Sequence, residues 1–378
     1  MRHSGNKTGK GSGAPSWAEA SLRWYEDNRR DLPWRQTKDP YHVWVSEAML
    51  QQTRVETALP YYHRFLERFP TLADLACSSE EEVLAVWQGL GYYNRARLLH
   101  QGAGEVQQRF GGQLPDSYEE LRSLPGVGPY TAAAIASICF GRRQPALDGN
   151  ALRVASRWWD LHQEVESPPG RRFLHQHLQE AMPADRPGDF NQAVMELGAT
   201  LCLPANPRCN LCPVVSICLA RLRGTAAELP LRRVRLPPRP IEVVCAVIHR
   251  GDGYLLRKRS SKGLLAGMWE FPTEPVETEA SPLQSLTGLL LSWGITGEIS
   301  SPWKKLAATF THLQWHMSIF RISLPTGADR SGSAWRWATL SELQGLPMGR
   351  PHRRVADLLE RALPGRPEGF QGFSSWKP

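Results

Sequence analysis

The chain has 378 residues, enough for two domains with sizeable cores. A net charge of +8 and a pI near 9.2 favour a polyanionic partner, and no apolar run approaches the roughly 18 residues of a membrane span, so an integral helical membrane protein is excluded. Of seven cysteines, four crowd into residues 202–218, a pattern of a reducing compartment and not of a disulfide framework.

Residues 1–16 (MRHSGNKTGKGSGAPS) carry basic groups with no apolar stretch behind them, so they read as a disordered arm and not as a secretion signal. Trp17–Arg29 is predicted helical, with Ala18, Leu22 and Tyr25 on one face. The turn Asp31–Arg35 then offers an indole, Trp34, beside the guanidinium groups of Arg30 and Arg35. In YHVWVSEAMLQQTR, residues 41–54, Val43, Ala48, Leu50 and Val55 give an apolar face at helical spacing. Glu47 stands inside that stretch, where a lone carboxylate is out of place if buried. SEEEVLAVW, from Ser79 to Trp87, opens on a capping box and runs into the glycine-rich GLGYYNRAR, which holds Leu90 and Tyr92.

The centre of the chain is LRSLPGVGPYTAAAIASICFGRRQPALDGNALRVASR, residues 121–157. Ser117–Glu120 starts a short helix that Pro125 helps to end. Gly126-Val127-Gly128 lets backbone N–H groups and the next helix's N-terminus converge on an anion, gripping a phosphate without reading a base. An alanine-rich helix follows from about Pro129 to Phe140, and Asp148 sits in the turn Leu147-Asp148-Gly149-Asn150 before another helix. Phe190–Leu201 is predicted helical and carries Glu196. Cys202, Cys209, Cys212 and Cys218 are spaced C-x6-C-x2-C-x5-C. Zinc usually takes two close pairs separated by a longer loop, whereas these uneven single spacings suit the corners of a [4Fe–4S] cube. Residues 226–240 are basic and proline-rich, an extended linker. From Ile241 strands dominate: IEVVCAVIH, Tyr254–Lys258, and two more around Thr311–Gln314.

Taken together, LPGVGPYTA, LDGN, GLGYYNRAR and the cysteine spacing resemble the endonuclease III superfamily of DNA glycosylases. Lyase-competent members carry a lysine two residues after the second hairpin glycine; here that residue is Tyr130, and SEAMLQQTRVETALPYY resembles the adenine DNA glycosylase (MutY-type) branch. The resemblance implies Glu47 as general acid, Asp148 as the carboxylate facing the sugar, Tyr130 as orienter of the two and Asn150 as a water-positioning group. It further implies a base pocket of Arg30, Trp34, Arg35 and Glu196, contacts of Gln52 and Thr53 in the DNA stack, Leu90 and Tyr92 as wedges, and a [4Fe–4S] cluster on the four cysteines. GLLAGMWEFP resembles the MutT-like C-terminal domain of the same family, but the stretch where a Nudix hydrolase holds magnesium, LQSLTGLLLSW, has no acid, so recognition and not hydrolysis is implied. Phe310-Thr311-His312 matches the family's Phe-Ser-His, which reaches the damaged guanine opposite the adenine, with Thr in place of Ser.

The expected architecture is a mainly α glycosylase domain over 17–225, with its iron–sulfur loop at 202–218, then the linker, an α+β Nudix/MutT-like domain over 241–362, and a flexible tail over 363–378. The implied activity is removal of adenine mispaired with 8-oxoguanine or guanine in double-stranded DNA, by a cytoplasmic, nucleoid-associated monomer without strand-nicking lyase activity. A thymine or uracil mismatch glycosylase of the same superfamily, and a non-catalytic iron–sulfur DNA-binding protein, are the alternatives.

Overall fold

The computed structural model describes residues 16–233, 237–277, 280–324 and 334–362. The arm before Ser16 and the tail from 363 lie outside the described residues. The chain divides into two compact units: residues 1–78 with 97–235, and residues 79–96 with 236–378.

The first unit is helical, and its helix ends are set by local chemistry. Ser16 caps Trp17–Asn28 in a capping box with Glu19. Asp39 accepts from the Tyr41 and His42 N–H groups to start Pro40–Leu50, with Pro40 at the first turn where its missing donor costs nothing. That helix is buried from Tyr41 through Met49 except at His42, so the polar Ser46 and Glu47 lie inside the protein. It ends at Leu50, short of the Arg54 limit read from the sequence, because Gln52 adopts a left-handed backbone (φ 58) that a helix cannot continue through. The hairpin forms between Tyr118–Ser123 and Pro129–Phe140. Gly126 (φ 74) is required twice over, since a Cβ there would also sit 2.7 Å from Leu98 Cβ. Gly149–Trp158 packs under Pro187–Thr200, and their approach is close enough that a Cβ on Gly198 would lie 2.6 Å from Asn150 Cβ.

Among its described residues the second unit is built on an eight-stranded mixed sheet: β1 (Arg239–Arg250), β2 (Gly253–Lys258), β3 (Trp269–Glu270), β4 (Thr273–Pro275), β5 (Glu298–Ile299), β6 (Lys304–Thr309), β7 (Leu313–Ser323) and β8 (Trp335–Thr339). Its spine runs β3-β2-β1-β7-β5, with β4 on β1, β6 on β7 and β8 on β2. Among the described strands, the long β1–β7 pair, from Arg239↔Leu313 to His249↔Ser323, is parallel and the other pairs are antiparallel. One sheet face packs on Leu343, Val355 and Leu359 of the C-terminal helices; the other packs on Leu286 and Leu290 of the helix Pro282–Ser292. The helix Glu80–Trp87 and its glycine-rich turn group with this unit. The Tyr93 hydroxyl donates to Met348 O at 3.3 Å, a contact no local pattern announces.

Candidate active site

A cavity of about 670 Å³ opens in the first unit. It is lined by Arg30, Trp34, Arg35, Glu47, Gln52, Thr53, Tyr130, Asp148, Asn150 and Glu196, ten residues singled out from the sequence, together with Ser46, Gln51, Gln192 and Met195, which were not.

Glu47 is 7 % exposed, and its Oε2 has no hydrogen-bond partner. Burial pushes its carboxyl up to about 7; the Tyr130 hydroxyl and the Arg35 guanidinium partly oppose this, and the Asp148 charge reinforces it. Tyr130, the second residue of its helix, is itself raised by burial and directs its hydroxyl to Met195 Sδ at 3.2 Å. Asp148 caps Gly149–Trp158: its Oδ1 accepts from Ala151 N at 2.6 Å and its Oδ2 from Asn150 Nδ2 at 3.0 Å. Burial raises its carboxyl as well, but these donors and the Arg153 charge counteract the rise. The two acids therefore differ in their partners: Glu47 Oε2 lacks a donor, whereas both carboxylate oxygens of Asp148 accept hydrogen bonds.

The floor of the cavity is a charge cluster. Glu196 is fully buried and takes Arg30 Nε and NH2, each at 2.8 Å, and Arg35 NH2 at 2.6 Å. Burial alone would raise it, yet the two guanidinium groups hold it at about 2. Trp34 is buried against Tyr62, edge to face at 5.1 Å between ring centroids. A flat apolar wall thus stands beside fixed, planar hydrogen-bond donors, the combination a purine needs.

Arg153 escaped the sequence reading. Its NH2 donates to Asn150 Oδ1 (2.8 Å) and Gly198 O (2.8 Å), and its Nε to Cys202 O (2.7 Å), so Asp148, Asn150, Arg153 and the first cysteine form one hydrogen-bonded line. Arg157, fully buried one turn later, donates to Cys202 Sγ at 3.3 Å. The only advance sign was a pair of arginines four apart on a helix otherwise apolar on that side. All four thiols are unbridged; Cys212 feels Cys202, Cys209 and Cys218, and Cys218 feels Cys202 and Cys209. Among the described residues no three His, Cys, Asp or Glu side chains converge on a single ion.

Other singled-out residues lie elsewhere. Gly126, Val127 and Gly128 form the hairpin, where Gly128 faces open space. Tyr92 is 49 % exposed with φ 50, whereas Leu90 is 6 % exposed. Of the two expected wedges, Leu90 is buried and Tyr92 is presented to solvent. Thr311 and His312 are exposed in the turn between β6 and β7, with Phe310 edge-to-face on Trp315 at 5.0 Å.

A family model described as HhH-GPD superfamily base excision DNA repair protein matches residues 45–181, and a NUDIX domain model matches 243–358. Adenine DNA glycosylase of Rattus norvegicus is 35 % identical over 92 % of this chain and 78 % of the relative, and that of Homo sapiens is 34 % identical over 91 % and 74 %. The chain belongs to the adenine DNA glycosylase family. This glycosylase also resembles a solved structure titled as a thermostable thymine-DNA glycosylase, with a TM-score of 0.51 and 27 % identity over 55 % of this chain and 95 % of that one. It is a DNA N-glycosylase of base excision repair, its cavity belongs to the helical unit, and no described helix is long and apolar enough to cross a membrane.

Proposed function

We propose that this glycosylase removes adenine opposite 8-oxoguanine or guanine, without cutting the strand, through Glu47 and Asp148. The observation that carries this reading is a single cavity holding both a carboxyl raised to about 7, Glu47, and a second carboxyl, Asp148, that accepts hydrogen bonds from Ala151 N and Asn150 Nδ2. Adenine is a poor leaving group. Glu47, protonated near neutrality, delivers its proton to a ring nitrogen of the extruded base while the indole of Trp34 and the Arg30–Glu196–Arg35 cluster hold the purine. The breaking N-glycosidic bond leaves positive charge on the sugar, which the Asp148 carboxylate stabilises, with Tyr130 between the two acids and Asn150 aligning the attacking water. The division of labour is that of a two-carboxylate glycosidase, one acid neutral and the other charged.

Extrusion costs a few kcal/mol of unstacking. Gln52 and Tyr92, each exposed on a left-handed backbone, are the side chains that offset it, with Thr53 beside Gln52. The Gly126–Gly128 hairpin grips a phosphate. Glycosylase chemistry is assigned to the first unit, and recognition of the opposite base to Phe310-Thr311-His312 in the second. The absence of lyase activity rests on Tyr130, whose phenol cannot form a Schiff base.

Cys202, Cys209, Cys212 and Cys218 would hold a [4Fe–4S] cluster. The all-sulfur donor set and its mutual influence support this. When bound, the cluster would supply neither acid nor base to the reaction and would hold together the loop into which Arg153 and Arg157 donate.

One assay tests the reading: duplexes with A, T or U opposite G or 8-oxoguanine, resolved with and without alkali. Release of adenine alone, with breaks only after alkali, is expected. Excision of T or U, or nicking without alkali, overturns it.

A further inference from the structure

The segment read from the sequence as an extended linker is fastened to the glycosylase unit at successive points. Leu229 is 1 % exposed in the core around Trp158, and its carbonyl accepts from Arg157 Nε at 2.9 Å. The Leu231 carbonyl accepts from Val165 N at 3.1 Å. The next residue, Arg232, is exposed on its outer side and donates NH2 to the Gly149 carbonyl at 3.2 Å. Gly149 lines the cavity, follows Asp148 directly and has no side chain to fix its peptide. The same carbonyl receives Arg153 NH1 at 3.4 Å.

From this geometry we infer that Arg232 is a positioning residue for Asp148, and that Leu229–Arg232 is a strap belonging to the active site. The carboxylate takes its direction from the first turn of Gly149–Trp158, through Ala151 N and Asn150 Nδ2. Tilting the Gly149 peptide moves both donors and swings the carboxylate away from the sugar. Arg153 clamps that carbonyl from inside the fold and Arg232 clamps it from the strap, so the turn is held from two sides. Arg232 has no carboxylate partner among the described ion pairs, so its hydrogen-bonding is directed to this carbonyl and not drawn off by an acid. A misplacement of about 1 Å at a reacting group can cost on the order of a hundredfold in rate; loss of one of two clamps should therefore cost about tenfold.

The inference rests on Asp148 being the catalytic carboxylate, and its test separates the two. In the full-length protein, Arg232→Ala, Arg232→Lys and Asp148→Asn are compared with the parent by single-turnover excision of adenine opposite 8-oxoguanine. Kd is measured alongside on the same duplex with a non-hydrolysable 2′-fluoro adenosine. Expected are a single-turnover rate about tenfold lower in Arg232→Ala with Kd within about threefold of the parent, and recovery of most of the rate in Arg232→Lys, which restores a donor. An unchanged rate in Arg232→Ala overturns the inference. So does a loss confined to Kd with a shallower salt dependence, the signature of a phosphate contact. Excision surviving in Asp148→Asn instead overturns the assignment of Asp148, whatever Arg232 does.

Discussion

Replacing Glu47 by Gln separates burial from chemistry. In the folded protein the carboxyl is lifted from the usual 4.5 to about 7, chiefly by loss of water. At about 1.4 kcal/mol per pH unit, ionising it inside the protein costs about 3 kcal/mol more than in the unfolded chain. Its folded value is raised, so between pH 4.5 and about 7 the native state keeps a proton that the unfolded state has released. Stability therefore falls as pH rises through that window, and the loss is complete above it. Glutamine keeps the shape and cannot ionise. Glu47→Gln should match the parent near pH 4.5 and exceed it at pH 8 by up to about 3 kcal/mol, several degrees in Tm. Excision by the variant should disappear while mismatch binding persists, and excision by the parent should fall about tenfold per pH unit above pH 7. The assay is thermal melting of both proteins from pH 5 to 8, with single-turnover excision in parallel. Melting curves that differ by a constant amount across the range would refute the argument, because they would mean that Glu47 titrates as an ordinary exposed acid.

Three further outcomes follow from the same physics. Gly126→Ala forces a Cβ to 2.7 Å from Leu98 on a left-handed backbone and should destabilise by about 1–3 kcal/mol, whereas Gly128→Ala, with φ −78 and open space, should melt normally yet lose DNA affinity; chemical denaturation and duplex binding distinguish the two. Glu196→Gln removes the counter-charge shared by Arg30 and Arg35 and should cost about 3–5 kcal/mol of stability, read as a lower denaturation midpoint; a change below about 1 kcal/mol would contradict the geometry. His312→Ala leaves the cavity untouched, so it should preserve excision opposite G and weaken the preference for 8-oxoguanine, measured as the ratio of the two single-turnover rates.

What could be read from the sequence was whatever is specified over short distances. The caps at Ser79 and Ser117, the glycine hairpin and the cysteine spacing each need only a few adjacent residues, and their motif context carried the expected roles of Glu47, Tyr130 and Glu196. The missing pieces depend on contacts far apart in the chain. Arg153 is defined by its reach from Asn150 to Cys202, Met195 by its distance from Tyr130, and the strap by the 83 residues that separate Arg232 from Gly149. The joining of residues 79–96 to the sheet unit arises in the same way, from partners such as Met348, which takes the Tyr93 hydroxyl and which no local periodicity encodes.

Gln52 stands on a left-handed backbone with its side chain at the surface. Such a conformation costs a residue with a Cβ on the order of 1 kcal/mol, and glycine would adopt it free of strain. Directed evolution of this gene under heat alone should therefore drift toward glycine or asparagine at position 52. Selection for a low mutation rate in a host exposed to oxidants should hold glutamine there, so the two populations would diverge at a codon whose product lies outside every hydrophobic core.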